Sequence, residues 1–234
     1  MNTKFLGALA AAGLALTMAT SASAAIIYTP VQAQSVALQT ATFFDAPMVF
    51  DKFDSSLGTL TQIIVTLEGN VEGNAAYENQ SPSPATINLN LQAQISLTRP
   101  GGGNMAQVLP VANIMENASG FDGVIDFGGT SGSTFTGLTA SANDNQILVS
   151  PADLALFTAA FLGETITLEL DAIGNSFGSG SGSMITQFLT LAGANATIQY
   201  AYDDGIEIAE PGMLAAFGFG LLGLGLMRRR RQAA

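Results

Sequence analysis

The sequence contains no cysteine, no histidine and no tryptophan, and only seven of its 234 residues are basic. Each absence closes a class of chemistry. Without thiols there are no disulfides, so an exported domain must hold together by burial alone. Without imidazole or thiolate, the usual hydrolytic triads are excluded and a typical zinc site has lost its ligands. The ring that stacks best on sugars is missing as well. Only carboxylate chemistry remains for catalysis, and the expectation is that the protein is not an enzyme.

What is present is concentrated at the two ends. The opening stretch MNTKFLGALAAAGLALTMATSASA carries one lysine, an apolar run and then Ala22-Ser23-Ala24. This order predicts a secretory signal peptide over residues 1–24, with Ala22 and Ala24 directing cleavage. At the other end Gly212 to Met227 carries no charge, and Arg228, Arg229, Arg230 and Arg231 follow directly. A helix over those 16 residues would reach about 24 Å, short of a hydrocarbon core of about 30 Å. The arginines fit the positive-inside rule, so the run is expected to stall in the inner membrane with them on the cytoplasmic side.

Immediately before that run stand Glu210 and Pro211. The order of acidic-proline dipeptide, apolar stretch and arginine cluster resembles the PEP-CTERM sorting signal, with Ala209 where that family usually has its first proline. The resemblance implies that an exosortase-like protease reads Glu210 and Pro211. It also implies that residues 209–234 are removed as the protein passes to the cell surface or extracellular matrix, after transient inner-membrane anchoring. A permanent membrane anchor is the competing expectation.

Between these ends lies the predicted exported domain, residues 25–208, with 17 acidic side chains against Lys52 and Arg99 alone. So acidic a segment repels phosphate backbones, and nucleic acid is not an expected partner. Its apolar residues alternate with period two. ATINLNLQAQISLT places Ile87, Leu89, Leu91, Ala93, Ile95 and Leu97 on one face and amides and hydroxyls on the other. TLTQIIVTLEGNVEG, ETITLELDA and ATIQYAY repeat the pattern through Ile63, Val65, Leu67, Val71, Ile166, Leu168, Leu170, Ala172, Ile198, Tyr200 and Tyr202. Strands with one apolar face predict an all-β, antiparallel, jelly-roll-like sandwich.

One short helix is predicted in SPADLALFTAAFLG, with Ser150 as cap, Pro151 in the first turn, Asp153 at capping-box spacing, and Leu154, Phe157 and Phe161 on one face. GNAAYENQSPSP reads as a surface loop, RPGGGN as a glycine turn and GNSFGSGSGS as a flexible connection. There is no fixed-period repeat, which argues against solenoids and propellers.

The words Lys52-Phe53-Asp54, Leu57-Gly58-Thr59-Leu60 and the strand Thr197 to Tyr202 give the segment from Ser35 to Asp203 a further likeness. It resembles the choice-of-anchor E domains, exported bacterial β-domains with interchangeable sorting tails; Ser55 stands where that family suggests proline. The resemblance implies fold and destination, and it lends no catalytic residue.

Three kinds of site remain to be considered. Glu169 and Asp171, two apart on one strand, are the carboxylate pair nearest to a glycosidase arrangement, although acids on a polar strand face are ordinarily just solvated. For calcium, which needs several loop oxygens, the candidates are Asp122 and Asp126 in FDGVIDFGG, Asp203 and Asp204 in YDDG, and Asp51 and Asp54 in DKFD. None has EF-hand spacing, and no other cofactor is expected. For an exopolysaccharide partner, Tyr77 is the tyrosine expected to be exposed, with Phe188 assigned to the core. A structural surface or biofilm-matrix role therefore ranks first and a glycan-binding module second.

Overall fold

The computed structural model describes residues 26–206. In chain order the strands are β1 (Ile26–Tyr28), β2 (Gln32–Thr40), β3 (Phe44–Asp51), β4 (Thr59–Asn79), β5 (Ala85–Thr98) and β6 (Asn104–Val108). They continue with β7 (Val111–Ala118), β8 (Gly132–Leu148), β9 (Thr165–Gly174), β10 (Phe177–Ser179) and β11 (Met184–Asp203). One short helix, α1 (Pro151–Phe157), joins β8 to β9. The described chain is thus mostly antiparallel β-structure, as the period-two pattern predicts.

Two long strands form the spine of the first sheet. β4 and β11 pair from Asn79 opposite Met184 to Thr59 opposite Asp203. β8 flanks β4, and β2 and β1 flank β11. In the second sheet β5 is central. Its half nearer Thr98 pairs with β9 and β6, its half nearer Ala85 with β7 and β10, and β3 closes the edge beyond β9.

The inward faces meet in one main core. Ile63, Val65 and Leu67 of β4 and Ile198 of β11 are fully buried with Leu91, Ile95 and Leu97 of β5 and Leu168 and Leu170 of β9. Each such side chain contributes roughly 1.5–3 kcal/mol of hydrophobic stabilisation. Gly69 lies where the two sheets approach closely, because a Cβ there would run into Val108 Cγ2 and Ile95 Cδ1. A second cluster gathers Ala75, Tyr77, Ile87, Leu89 and Ala118, with Phe188 half-buried against it.

Three expectations about connections are corrected. GNAAYENQSPSP is not a loop as far as Asn79, because Gly73, Ala75 and Tyr77 continue the inward alternation of β4. The Gly/Ser stretch holds β10, with Gly180 placed so that any Cβ would overlap the Thr86 carbonyl oxygen. The helix starts where predicted, since Ser150 Oγ accepts the Asp153 amide at 3.1 Å and donates to Asp153 Oδ2 at 2.7 Å. It stops at Phe157, where Phe53 and Thr158 form a parallel bridge. Phe161 therefore lies outside the helix and is 69% exposed.

The order of strands gives the domain two distinct ends. At one, Ile26 pairs with Asp203 and the segment after Asp51 crosses from the second sheet to the first, packing Phe53 against Tyr200 and Tyr202. At the other, β4 ends in Glu78 and Asn79.

Candidate functional site

The predicted sorting and cleavage residues Ala22, Ala24, Glu210, Pro211, Arg228, Arg229, Arg230 and Arg231 lie outside the described residues. The remaining candidates can be placed atom by atom.

Four of the six candidate calcium acids, Asp54, Asp122, Asp126 and Asp203, accept backbone amides within their own turns. Asp122 Oδ1 accepts the Val124 amide at 3.1 Å and its Oδ2 the Thr130 amide at 3.4 Å. The Val124 bond is the main reason its carboxyl lies below the usual carboxylate range. Asp126 Oδ1 accepts Gly128 N, and Asp203 Oδ1 accepts Gly205 N. Asp54 caps the turn at Ser56, whose amide lowers its pKa. Asp51 offers its backbone carbonyl to Tyr200 Oη at 2.7 Å. Among the described residues no group of three or more acidic side chains is arranged to hold a metal ion.

Tyr77 is corrected from exposed loop residue to core residue, at 2% exposure. Its hydroxyl donates to Glu116 Oε2 at 3.2 Å, and burial with that carboxylate pushes the phenol up to about 12. It cannot stack on a sugar. Beside it, and also hidden, are two polar residues to which a loop assignment gives no role, Glu78 and Asn79. Glu78 accepts Ser131 Oγ at 2.5 Å and the Phe127 amide at 2.9 Å. Asn79 donates to the carbonyls of Ser83 and Ser119 and accepts from Ser81 N and Ser181 Oγ. These neighbours point to opposite faces of β4 and tie three loops to its end. Every oxygen and nitrogen has a partner, so the arrangement is a structural hub.

A different constellation sits at the opposite end, where β3, β5 and β9 meet α1. An open cleft of about 580 Å³ is lined by Lys52, Arg99, Thr98, Thr165, Thr167 and Glu169, with Leu156 and Pro100 among its apolar walls. Lys52 and Arg99 are the only two cations among the described residues. Both are fixed by acids: Lys52 Nζ is 2.5 Å from Glu164 Oε1, and Arg99 pairs with Asp153, the residue capped by Ser150. Lys52, and then the Ala160 amide, hold the Glu164 carboxyl below the usual carboxylate range. Arg99 Nε is buried with no acceptor among the described residues. The Arg99 turn is the predicted glycine turn, with Gly101, Gly102 and Gly103 all in the left-handed region.

Glu169 and Asp171 do lie on one outward face of β9, as the alternation predicts. Of the two, Glu169 lines the cleft. The sequence signal for this site is the rarity of its cations, since residues 47 positions apart cannot be paired by spacing alone.

No protein-family profile matches the chain, and no curated protein matches it. Among solved structures, similarity is found to chains of infectious bursal disease virus. The Gx strain structure is 11% identical over 91% of this chain and 52% of that one, with a TM-score of 0.18. A mutant VP2 protein from T=1 particles is 14% identical over 85% and 41%, at 0.19. The VP2 subviral particle is 14% identical over 94% and 55%, at 0.18. The chain spans about half the length of these viral chains, and at such TM-scores the likeness carries no argument.

Proposed function

We propose that this is an exported structural protein of the cell surface or extracellular matrix: a jelly-roll-like β-sandwich delivered by removable addresses at its two ends. Residues 1–24 direct export and end at Ala22-Ser23-Ala24. Residues 209–234 hold the chain briefly in the inner membrane, with Arg228 to Arg231 setting orientation. An exosortase-like protease then cuts near Glu210 and Pro211. No catalytic residue is assigned to the domain.

The observation that supports this reading is that the described residues assemble a continuous apolar core among themselves. Its buried apolar residues run from Ala41 to Ala201, and Ile26 is stitched to Asp203. The excess of acidic side chains suits a protein that must stay soluble once released.

The deciding experiment is the intact mass of the protein recovered from the envelope and the medium of its native host. A species that begins near Ala25 and ends between Ala209 and Pro211 is expected. A species that keeps Arg228 to Arg231 and stays with the inner membrane overturns the sorting half of the proposal and makes the tail an anchor.

A further inference from the structure

We propose that the cleft between β9, the Arg99 to Gly103 turn and α1 is a binding site for a neutral, hydroxyl-rich saccharide. The chemistry of its wall is mixed. Thr165 and Thr167 each donate and accept, Thr98 accepts while its own hydroxyl donates to the Glu169 carbonyl at 3.3 Å, Lys52 and Arg99 only donate, and the Glu169 carboxylate only accepts. Sugar hydroxyls also do both, so such a wall can satisfy them in either sense. Leu156 and Pro100 supply apolar surface for the carbon faces of the rings.

Charge selects among saccharides. The two cations are already matched by Glu164 and Asp153, so Glu169 leaves the cluster at a net negative charge. The domain around it is strongly acidic. A carboxylated or phosphorylated polymer meets repulsion here, whereas a neutral one does not.

Geometry favours a chain over a small molecule. Thr165, Thr167 and Glu169 occupy alternate positions of β9, which spaces them about 6.8 Å apart in a row. The charged tips are held in advance. Glu164 is pinned by the Ala160 amide at 2.7 Å, and the turn is closed by Gly102 N to Arg99 O at 3.0 Å and Arg99 N to Gly103 O at 3.2 Å. Side chains fixed before binding lose less entropy on binding.

The test is saturation-transfer NMR on the full chain in a detergent without a sugar headgroup. The probes are maltohexaose, cellohexaose and laminarihexaose, with hexamannuronate as the acidic counterpart. At least one neutral hexasaccharide is expected to receive saturation with a Kd of about 1 mM or tighter. Thr167→Val and Glu169→Gln each weaken that binding about tenfold. Both positions are exposed, so an unchanged melting temperature verifies the fold, and Asn143→Ala on the outer face of the other sheet leaves binding intact.

Three results overturn the proposal: no transfer to any neutral hexasaccharide, transfer that survives both cleft substitutions, or hexamannuronate binding as well as the neutral probes. None of them bears on the masses that test the sorting proposal, so the two can fail separately.

Discussion

Ser131 Oγ donates to Glu78 Oε1 at 2.5 Å across 53 residues of sequence, and Glu78 has no exposed surface. The second oxygen takes the amide of Phe127, a non-glycine residue at φ 54°. The carboxylate therefore fixes the 119–131 loop over the outer face of β4 and offsets a local backbone cost of order 1–3 kcal/mol.

Glu78→Ala leaves the buried Ser131 hydroxyl and the partly buried Phe127 amide without an acceptor. Each orphaned donor costs about 1–3 kcal/mol. With a combined loss of about 3 kcal/mol, Tm falls by roughly 6–12 °C in a domain of this size. Glu78→Gln retains an acceptor for Phe127 and a donor for Ser131, and is expected to lose less than half as much. Thermal unfolding by circular dichroism measures both variants.

Asp122 acts inside the same loop. Its carboxylate holds the amides of Val124 and Thr130, so Asp122→Ala frees both while the core stays untouched. Hydrogen exchange at those two amides should quicken roughly tenfold, with β4 and β11 unchanged. Because the Asp122 oxygens are engaged by the loop, millimolar calcium is expected to leave the melting temperature of the parent protein where it was. A calcium-dependent rise that Asp122→Ala abolishes would show that the loop opens to bind the ion.

How much of this was legible in sequence depends on residue type. In β5 the alternation of apolar residues with Asn and Gln reads out correctly from Ile87 to Ile95, and beyond it Ser96, expected on the polar face, is buried as well. In β4 the same alternation continues beyond Val71 with Gly73 and Ala75, whose small side chains carry little apolar signal, and so its last turn-like letters read as a loop. A loop there places Tyr77 at the surface, whereas the continued strand buries it together with Glu78 and Asn79. The capping box of α1 is local, and its start was readable; its end is set by Phe53, roughly a hundred residues away, and was not. The Lys52 and Arg99 cleft is assembled by three strands of one sheet, which no spacing rule encodes.

The two buried phenols give the alkaline limb of stability. Tyr77 titrates near 12 in the folded domain, against about 10 in an unfolded chain. Burial, and then the nearby Asp51, push Tyr200 up as well. Between those values the unfolded chain has released a proton that the folded one keeps, so stability falls as pH rises and is fully present below pH of about 10. Urea midpoints measured between about pH 9 and about pH 12 should decline. In Tyr77→Phe the decline is shallower, whatever constant offset comes from losing the bond to Glu116.

Ser150, Asp153 and Arg99 form a chain of contacts, and its members differ in what their loss exposes. Ser150→Ala removes one cap acceptor from the Asp153 amide, a change of about 1 kcal/mol. Asp153→Ala removes the partner of Arg99, whose Nε is already buried without an acceptor, and deprives Ser150 of its own acceptor. Breaking a partly buried pair from the acidic side leaves an uncompensated cation, so this variant should lose at least twice as much stability as Ser150→Ala. Arg99→Met, which removes the charge and keeps the aliphatic stem, should lie between them in urea denaturation. If Asp153→Ala and Arg99→Met each cost no more than Ser150→Ala, then Asp153 acts only as a helix cap and Arg99 is not held in place by it. The Arg99 tip on the cleft wall would then be free to move before any ligand arrives.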